Sequence, residues 1–318
     1  MNNIRRREFI AGSAVAAAGF SNGFANMLRG EVLPDQAKRD RMAVMTLSFN
    51  SVLKNPAHPD DPARTLDILD APQMIADRYG IHHVEFQHTH FASIEAPYFK
   101  EIRDRLKKAK SQMNQICLEF GPLNISAPEH YVRLETTDLT KQWIDHAAAV
   151  GCPRVMVNQG TLAPEVRQAA IDTLKAMDAY GKTRKVFVTM ENRGGGGGRR
   201  PPQPGDAAAP PNRPPTPPPP TWEVVLEVIK ASGIHANPDI GNFPDEAARA
   251  AGLRAMYPLS SGSSHAHYAP DRYSEADAIK ISKEVGYKGL FSIETGRNNG
   301  SDPYAAVQSV VDELLKDI

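Results

Sequence analysis

The sequence predicts a single-domain (β/α)8 barrel, and three observations lead there. Short apolar runs alternate with stretches of helical periodicity eight times, with no tandem strands. The alternation occupies about 275 residues, a length suited to a closed barrel. Late in the chain, successive strand-like runs end in residues that bear carboxylates or imidazoles, the position from which barrels build their sites. An open sheet of flavodoxin or Rossmann type is the competing arrangement. No Gly-x-Gly-x-x-Gly motif follows the first strand, which counts against it.

In chain order, strands are expected at 42–49, 83–86, 116–120, 154–158, 186–191, 234–239, 263–267 and 289–294. The first helix covers 65–79, where Leu66, Ile68, Leu69, Met74 and Ile75 supply an apolar stripe and Gly80 closes it. Helices then follow at 98–113, 137–150, 164–180, 222–232, 245–256 and 275–285. The last, 304–316, carries Val307, Val310, Val311, Leu314 and Leu315 on one face.

The composition of the 318 residues, 41% hydrophobic and 23% charged, is that of an ordinary globular protein. Thirty-seven basic residues balance 37 acidic ones, so the basic bias of a dedicated nucleic-acid surface is missing. Cys117 and Cys152 lie in or beside strand-like runs and read as buried free thiols; zinc-type cysteine spacing is lacking.

Two segments fall outside the barrel pattern. Residues 1–40 read as a leader and linker: Arg6-Arg7-Glu8-Phe9-Ile10 resembles a twin-arginine export signal, followed by a small-residue run from Ala11 to Ala25. That run is too short for a good membrane span, so the expectation is a periplasmic or secreted protein handled by the twin-arginine translocation machinery, without a stable membrane anchor. Residues 194–220 form an insertion within the 41–318 barrel: five glycines, 194–198, then eleven prolines among the twenty residues 201–220. Such a composition builds no core and reads as a flexible arm joined to a stiffer one.

The strand ends hold the chemistry. The fifth ends Thr189-Met190-Glu191-Asn192, the sixth Asn237-Pro238-Asp239, the seventh His265-Ala266-His267 and the eighth Ile293-Glu294. Two glutamates, an aspartate and a histidine make an oxygen/nitrogen donor set suited to Mn2+, Mg2+, Co2+ or Zn2+. Glu85 and His88, near the end of the second strand, Glu119 in the third and Asn158 in the fourth are candidate contacts for substrate hydroxyls. Phe49, Phe86, Phe120 and Phe243 read as core or as apolar walls. No Gly-x-Ser-x-Gly elbow supports serine catalysis.

These motifs resemble the xylose-isomerase-like barrels, which include ketose 3-epimerases, sugar isomerases and inosose dehydratases. The resemblance rests on Gly80-Ile81-His82-His83-Val84-Glu85-Phe86, Val188-Thr189-Met190-Glu191-Asn192, Asn237-Pro238-Asp239-Ile240-Gly241-Asn242, His265-Ala266-His267 and Ser292-Ile293-Glu294. It implies a divalent metal held by Glu191, Asp239, His267 and Glu294, with Glu191 and Glu294 as the acid/base pair. It also implies His265 one layer deeper and Arg272 as a substrate contact. Asn242 stands where the epimerase branch usually has histidine, and Ala269 where many relatives have lysine.

The expected function is an exported metal-dependent sugar isomerase or epimerase that moves a proton next to a carbonyl. Its small-molecule substrate is a sugar or polyol, and a homo-oligomer is compatible with it. Alternatives are a lyase or dehydratase using the same donors, and a non-catalytic barrel that binds a sugar or a partner.

Overall fold

The computed structural model describes residues 35–54, 59–193, 219–267, 269, 271–295 and 302–318. The twin-arginine leader and all but the last two residues of the 194–220 insertion lie outside the described residues. Among the described residues, β1 (Met42–Met45), β2 (His83–Gln87), β3 (Gln112–Cys117), β4 (Arg154–Val157), β5 (Phe187–Glu191), β6 (His235–Asn237), β7 (Ser263–Ala266) and β8 (Leu290–Ile293) form one sheet. Its order is β6-β5-β4-β3-β2-β1-β8-β7, with every paired neighbour parallel. A short helix, α1 (Gln36–Arg39), precedes β1. The connecting helices are α2 (Ala71–Tyr79), α3 (Ala96–Lys108), α4 (His130–Val150), α5 (Pro164–Arg184), α6 (Trp222–Ser232), α7 (Glu246–Met256) and α8 (Glu275–Glu284), with α9 (Pro303–Asp317) last. This is the expected (β/α)8 barrel.

The barrel closes at a seam between β6 and β7. There the ladder is replaced by two isolated parallel bridges, Ala236↔Ser260 and Asp239↔His265. Pro238 has no N–H to give, so the chain beyond β6 cannot continue a regular ladder. Its carbonyl still accepts His265 N–H at 2.9 Å, and Ile240 N–H reaches His265 O at 3.2 Å. The seam therefore brings Asp239 and His265 side by side.

Between sheet and helices the core is apolar: Val84, Val155, Val188 and Phe291 of the strands are fully buried, as are Ile75, Ile144, Leu174 and Val311 of the helices. Phe49, Phe86 and Phe243 belong to this core, at 0%, 1% and 2% exposure, and do not form walls of a sugar site. Inside the barrel, by contrast, one layer is polar. Gln115 donates to Glu85 (3.0 Å) and Asn237 (3.3 Å), Thr189 donates to Gln115 (3.0 Å), and Ser292 donates to Glu85 (2.7 Å). Cys117 and Cys152 are both buried and free.

Several boundaries differ from expectation. The helix expected from 65 begins at Ala71, after a 3-10 turn over Ile68–Asp70. β1 ends at Met45, and Thr46–Phe49 turns as a 3-10 helix. β3 begins at Gln112 and not Ile116; its start resembles a helix tail in sequence, but Gln112 is exposed, Met113 packs in the apolar core, and Asn114 and Gln115 are buried and hydrogen-bonded to polar side chains. α4 begins at His130, seven residues early. The hydroxyls of Thr136, Thr137 and Thr140 bond the carbonyls four residues back at 2.7–2.8 Å, so these poor helix formers are accommodated.

Gly252 in α7 shows how tightly Phe243 is fixed. A Cβ there would lie 2.2 Å from Phe243 Cε1. Exposed helical Gly→Ala changes usually stabilise by roughly 0.5–1 kcal/mol, but here overpacking reverses the sign. Gly252→Ala is expected to destabilise by about 1–3 kcal/mol, measured as a lower urea midpoint at unchanged slope, and Phe243→Leu in that background to restore part of the loss.

Candidate metal centre

Glu191 ends β5, Asp239 lies just beyond β6, His265 is the third residue of β7, and Glu294 follows β8. One ligand atom from each falls within 4.8 Å of all the others. His265 Nδ1 is 3.2 Å from Glu294 Oε2, 3.3 Å from Glu191 Oε1 and 4.0 Å from Asp239 Oδ2. Donors on a common ion at about 2.0–2.2 Å lie no more than about 4.4 Å apart, so the three separations from His265 Nδ1 fit a small divalent cation. Glu191, Asp239 and His265 are almost wholly enclosed; Glu294, with 18% of its side chain exposed, is the one open to the barrel mouth.

The four differ from the expected set in the histidine. His267 was implied as the ligand and His265 as its support; the four-residue group holds His265, and His267 stands beside Asp239 at its edge. His265 is within β7, with its side chain fully buried in the barrel. His267 lies past the end of β7 and is 24% exposed; its Nε2 is 2.9 Å from Asp239 Oδ2 and 4.0 Å from Glu294 Oε2. It stands over the group at its outer edge. Two residues of strand separate a side chain in the barrel from one at its rim.

His265 is held from below. Its Nε2 is 3.0 Å from Glu85 Oε1, and Glu85 is itself fully buried. Glu85, read from sequence as a substrate contact, is enclosed by His265, Gln115 and Ser292 and cannot touch a sugar at the mouth. It is a carboxylate that fixes the His265 ring through Nε2, leaving Nδ1 toward the other carboxylates.

With carboxylates at both ring nitrogens, burial, which alone would lower the His265 pKa, is outweighed by Glu85 and Glu191, and the imidazole is held well above its ordinary value. Without metal it is an imidazolium donating from both nitrogens. Burial raises Glu191 to about 8, against the pull of His265 and with Asp239 adding to the rise. For Asp239 and Glu294, burial is overcome by the histidines, and both stay below the usual carboxylate range. Glu191 and Asp239 thus compete for one proton, which settles on Glu191. His267 is disfavoured as a cation by burial, but Asp239 raises it to about 9.

Several partners were not read as site residues. Asn242 donates to both Glu191 (3.0 Å) and Asp239 (2.8 Å). The Asn192 amide accepts Asp239 N–H at 2.7 Å and donates to Asp239 O at 3.1 Å, replacing the strand neighbour that the seam lacks. Arg193 donates to Glu191 Oε2 at 2.8 Å and pairs with Glu119. An arginine two residues after a carboxylate strand end was the available signal.

The remaining candidates lie around this group. Asn158 donates to Glu119 at 3.2 Å, on the β3–β5 side. The His88 ring packs edge-on against Phe120 and Trp143 and accepts Glu119 N–H at 2.9 Å, so an aromatic cluster holds it. Arg272 is exposed and donates to Gly241 O at 3.3 Å.

Compared by sequence with family models and with curated proteins, the chain matches none. Its fold is similar to that of solved structures. An L-ribulose 3-epimerase aligns at TM-score 0.64 and 13% identity, over 87% of this chain and 94% of its own. A D-allulose 3-epimerase from Methylomonas sp., in complex with D-allulose, aligns at 0.63 and 12%, over 88% and 98%. A xylose isomerase domain protein from Planctomyces limnophilus aligns at 0.58 and 15%, over 87% and 95%. At these identities the likeness is one of fold: the structural neighbours are xylose isomerase-like barrels of sugar epimerases and isomerases.

Two outcomes follow from this centre. Glu85→Gln removes the charge that orients His265 and is expected to weaken Mn2+ binding about 10–100-fold by calorimetry; unaltered affinity would contradict the orienting role. The second concerns pH. Glu191 and His267 keep their protons to about 8 and about 9 in the metal-free fold, against 4.5 and 6.5 ordinarily. Their stabilising contributions are complete below those ordinary values and lost as pH rises through the folded ones, so metal-free stability should fall between about pH 5 and 9. Metal binding displaces these protons, so the rise in Tm on adding Mn2+ should be larger at about pH 8.5 than at about pH 6.

Proposed function

We propose that the protein is a divalent-metal-dependent sugar isomerase or epimerase that transfers a proton at the carbon next to a carbonyl. The observation that carries this reading is the buried Glu191–Asp239–His265–Glu294 group at the mouth of a barrel whose structural neighbours include ketose 3-epimerases. When bound, a divalent cation would polarise the substrate carbonyl and stabilise the negative charge that develops as the proton leaves.

The chain's own residues divide the remaining work. Glu294 is ionised at neutral pH and partly open to the mouth, which suits it to take the substrate proton at a carboxylate oxygen. Glu191 lies deeper, and its two oxygens face His265 and Arg193; it is the group best suited to hold and return a proton. Asn242 and Arg193 fix the Glu191 carboxylate in place. His267, at the rim, and Asn158, beside Glu119, are proposed to hold substrate hydroxyls. Arg272 is proposed as an outer substrate contact. Export through the leader at 1–40 is part of the same reading, and an unphosphorylated sugar or polyol is its proposed substrate.

The test is proton exchange. Mn2+-loaded protein incubated in D2O with free ketohexoses and ketopentoses should introduce deuterium beside the carbonyl. Glu294→Gln should slow exchange by about 10²–10⁴-fold, with only partial loss of Mn2+ affinity. Full exchange in that variant would remove Glu294 as the base, and no exchange in the loaded wild type with any free ketose would remove the reading itself.

A further inference from the structure

Away from the metal centre, the start of α8, the loop before it and the last turn of α9 border a cavity of about 550 Å³. Five carboxylates line it, Glu246, Asp271, Glu275, Glu313 and Asp317, with a single basic side chain, Arg272. Glu246 accepts Ser274 N–H at 3.0 Å and is 2.7 Å from Arg249 Nη1, while Glu313 accepts Lys316 Nζ at 2.6 Å. Glu275 differs from both. It is 7% exposed, and neither of its carboxylate oxygens has a hydrogen-bond partner among the described residues.

An enclosed, unpartnered carboxylate is unfavourable unless it takes a proton or meets a cation. Burial, with Glu313 beside it, raises the Glu275 carboxyl to about 8. Asp317 is the final residue of α9, where the negative end of the helix dipole adds to the same potential.

We propose that this cavity binds an organic cation bearing a guanidinium group, with Glu275 as its buried counter-charge. A bare metal ion fits the spacing poorly. Among the described residues, the one group of three or more carboxylates and imidazoles close enough to share an ion is that at the barrel mouth. A guanidinium spreads five N–H donors over a plane and can meet carboxylates that stand too far apart for one ion. The cavity volume lies within the range of about 300–1,000 Å³ usual for small-ligand sites. Its wall is joined to the metal centre: Tyr273 donates to His267 O at 2.5 Å, and Arg272 donates to Gly241 O. The inference stands whether or not the barrel mouth moves protons on sugars.

Calorimetric titration of the full-length protein with agmatine tests it, with N-butylurea as an uncharged probe of similar length. One-to-one saturable binding of agmatine is expected, with none of N-butylurea. Glu275→Gln, and separately the Glu313→Gln/Asp317→Asn pair, should each weaken agmatine at least tenfold, while Glu191→Gln should leave its affinity unchanged. Should Glu275→Gln fail to fold by circular dichroism, the more accessible pair carries the test. Absence of saturable binding, equal affinity in the cavity variants, loss in Glu191→Gln instead, or displacement of agmatine by Ca2+ at lower concentration would each overturn the proposal.

Discussion

The enclosed charge around His265 is the constraint on which the rest of this molecule depends. Glu85, Glu191, Asp239 and Glu294 all approach one buried imidazole, and none has enough water around it to be solvated as a free ion. Buried like charges are tolerated only where positive charge and hydrogen-bond donors oppose them. In the metal-free fold the opposing charge is supplied by protons on His265 and His267 and by Arg193, with Asn242 and Ser292 adding neutral donors. A divalent cation would replace the protons with a compact charge at the same place. The centre is thus held between two loads, and metal binding and pH are one equilibrium.

The fold is arranged to make that convergence geometrically cheap. Glu191, Asp239, His265 and Glu294 come from β5 through β8 or the residues just after them, but β6 and β7 are not zipped by a regular ladder. Pro238 interrupts the pairing, and the Asn192 side chain supplies Asp239 with the bonds a neighbouring strand would have made. Beneath, the polar layer of Gln115, Thr189, Asn237, Ser292 and Glu85 occupies space that branched apolar side chains usually fill in such barrels. Each member is bonded to another, which makes the layer a rigid floor for His265.

How much of this was legible in the sequence depended on whether the signal was local. Strand–helix alternation is local, and so is a carboxylate that ends an apolar run; the barrel, Glu191, Asp239 and Glu294 followed from them. The two histidines were not separable in this way. His265 and His267 share a strand face, and only the register of β7 against β8, with His265 opposite Ser292, places one in the barrel and the other at its rim. Glu85 was visible as a polar residue in a strand, but its role comes from contact with a residue 180 positions away. The early start of β3 was hidden because Asn114 and Gln115, buried against polar partners, break the apolar pattern that marks strands.

The most direct measurement of the central assignment is an anomalous-diffraction map from crystals grown with Mn2+. A single peak is predicted, at about 2.0–2.2 Å from His265 Nδ1 and from one oxygen each of Glu191, Asp239 and Glu294, with Glu85 still bonded to His265 Nε2. A peak coordinated by His267 in place of His265, or no ordered Mn2+ among these four side chains, would contradict it.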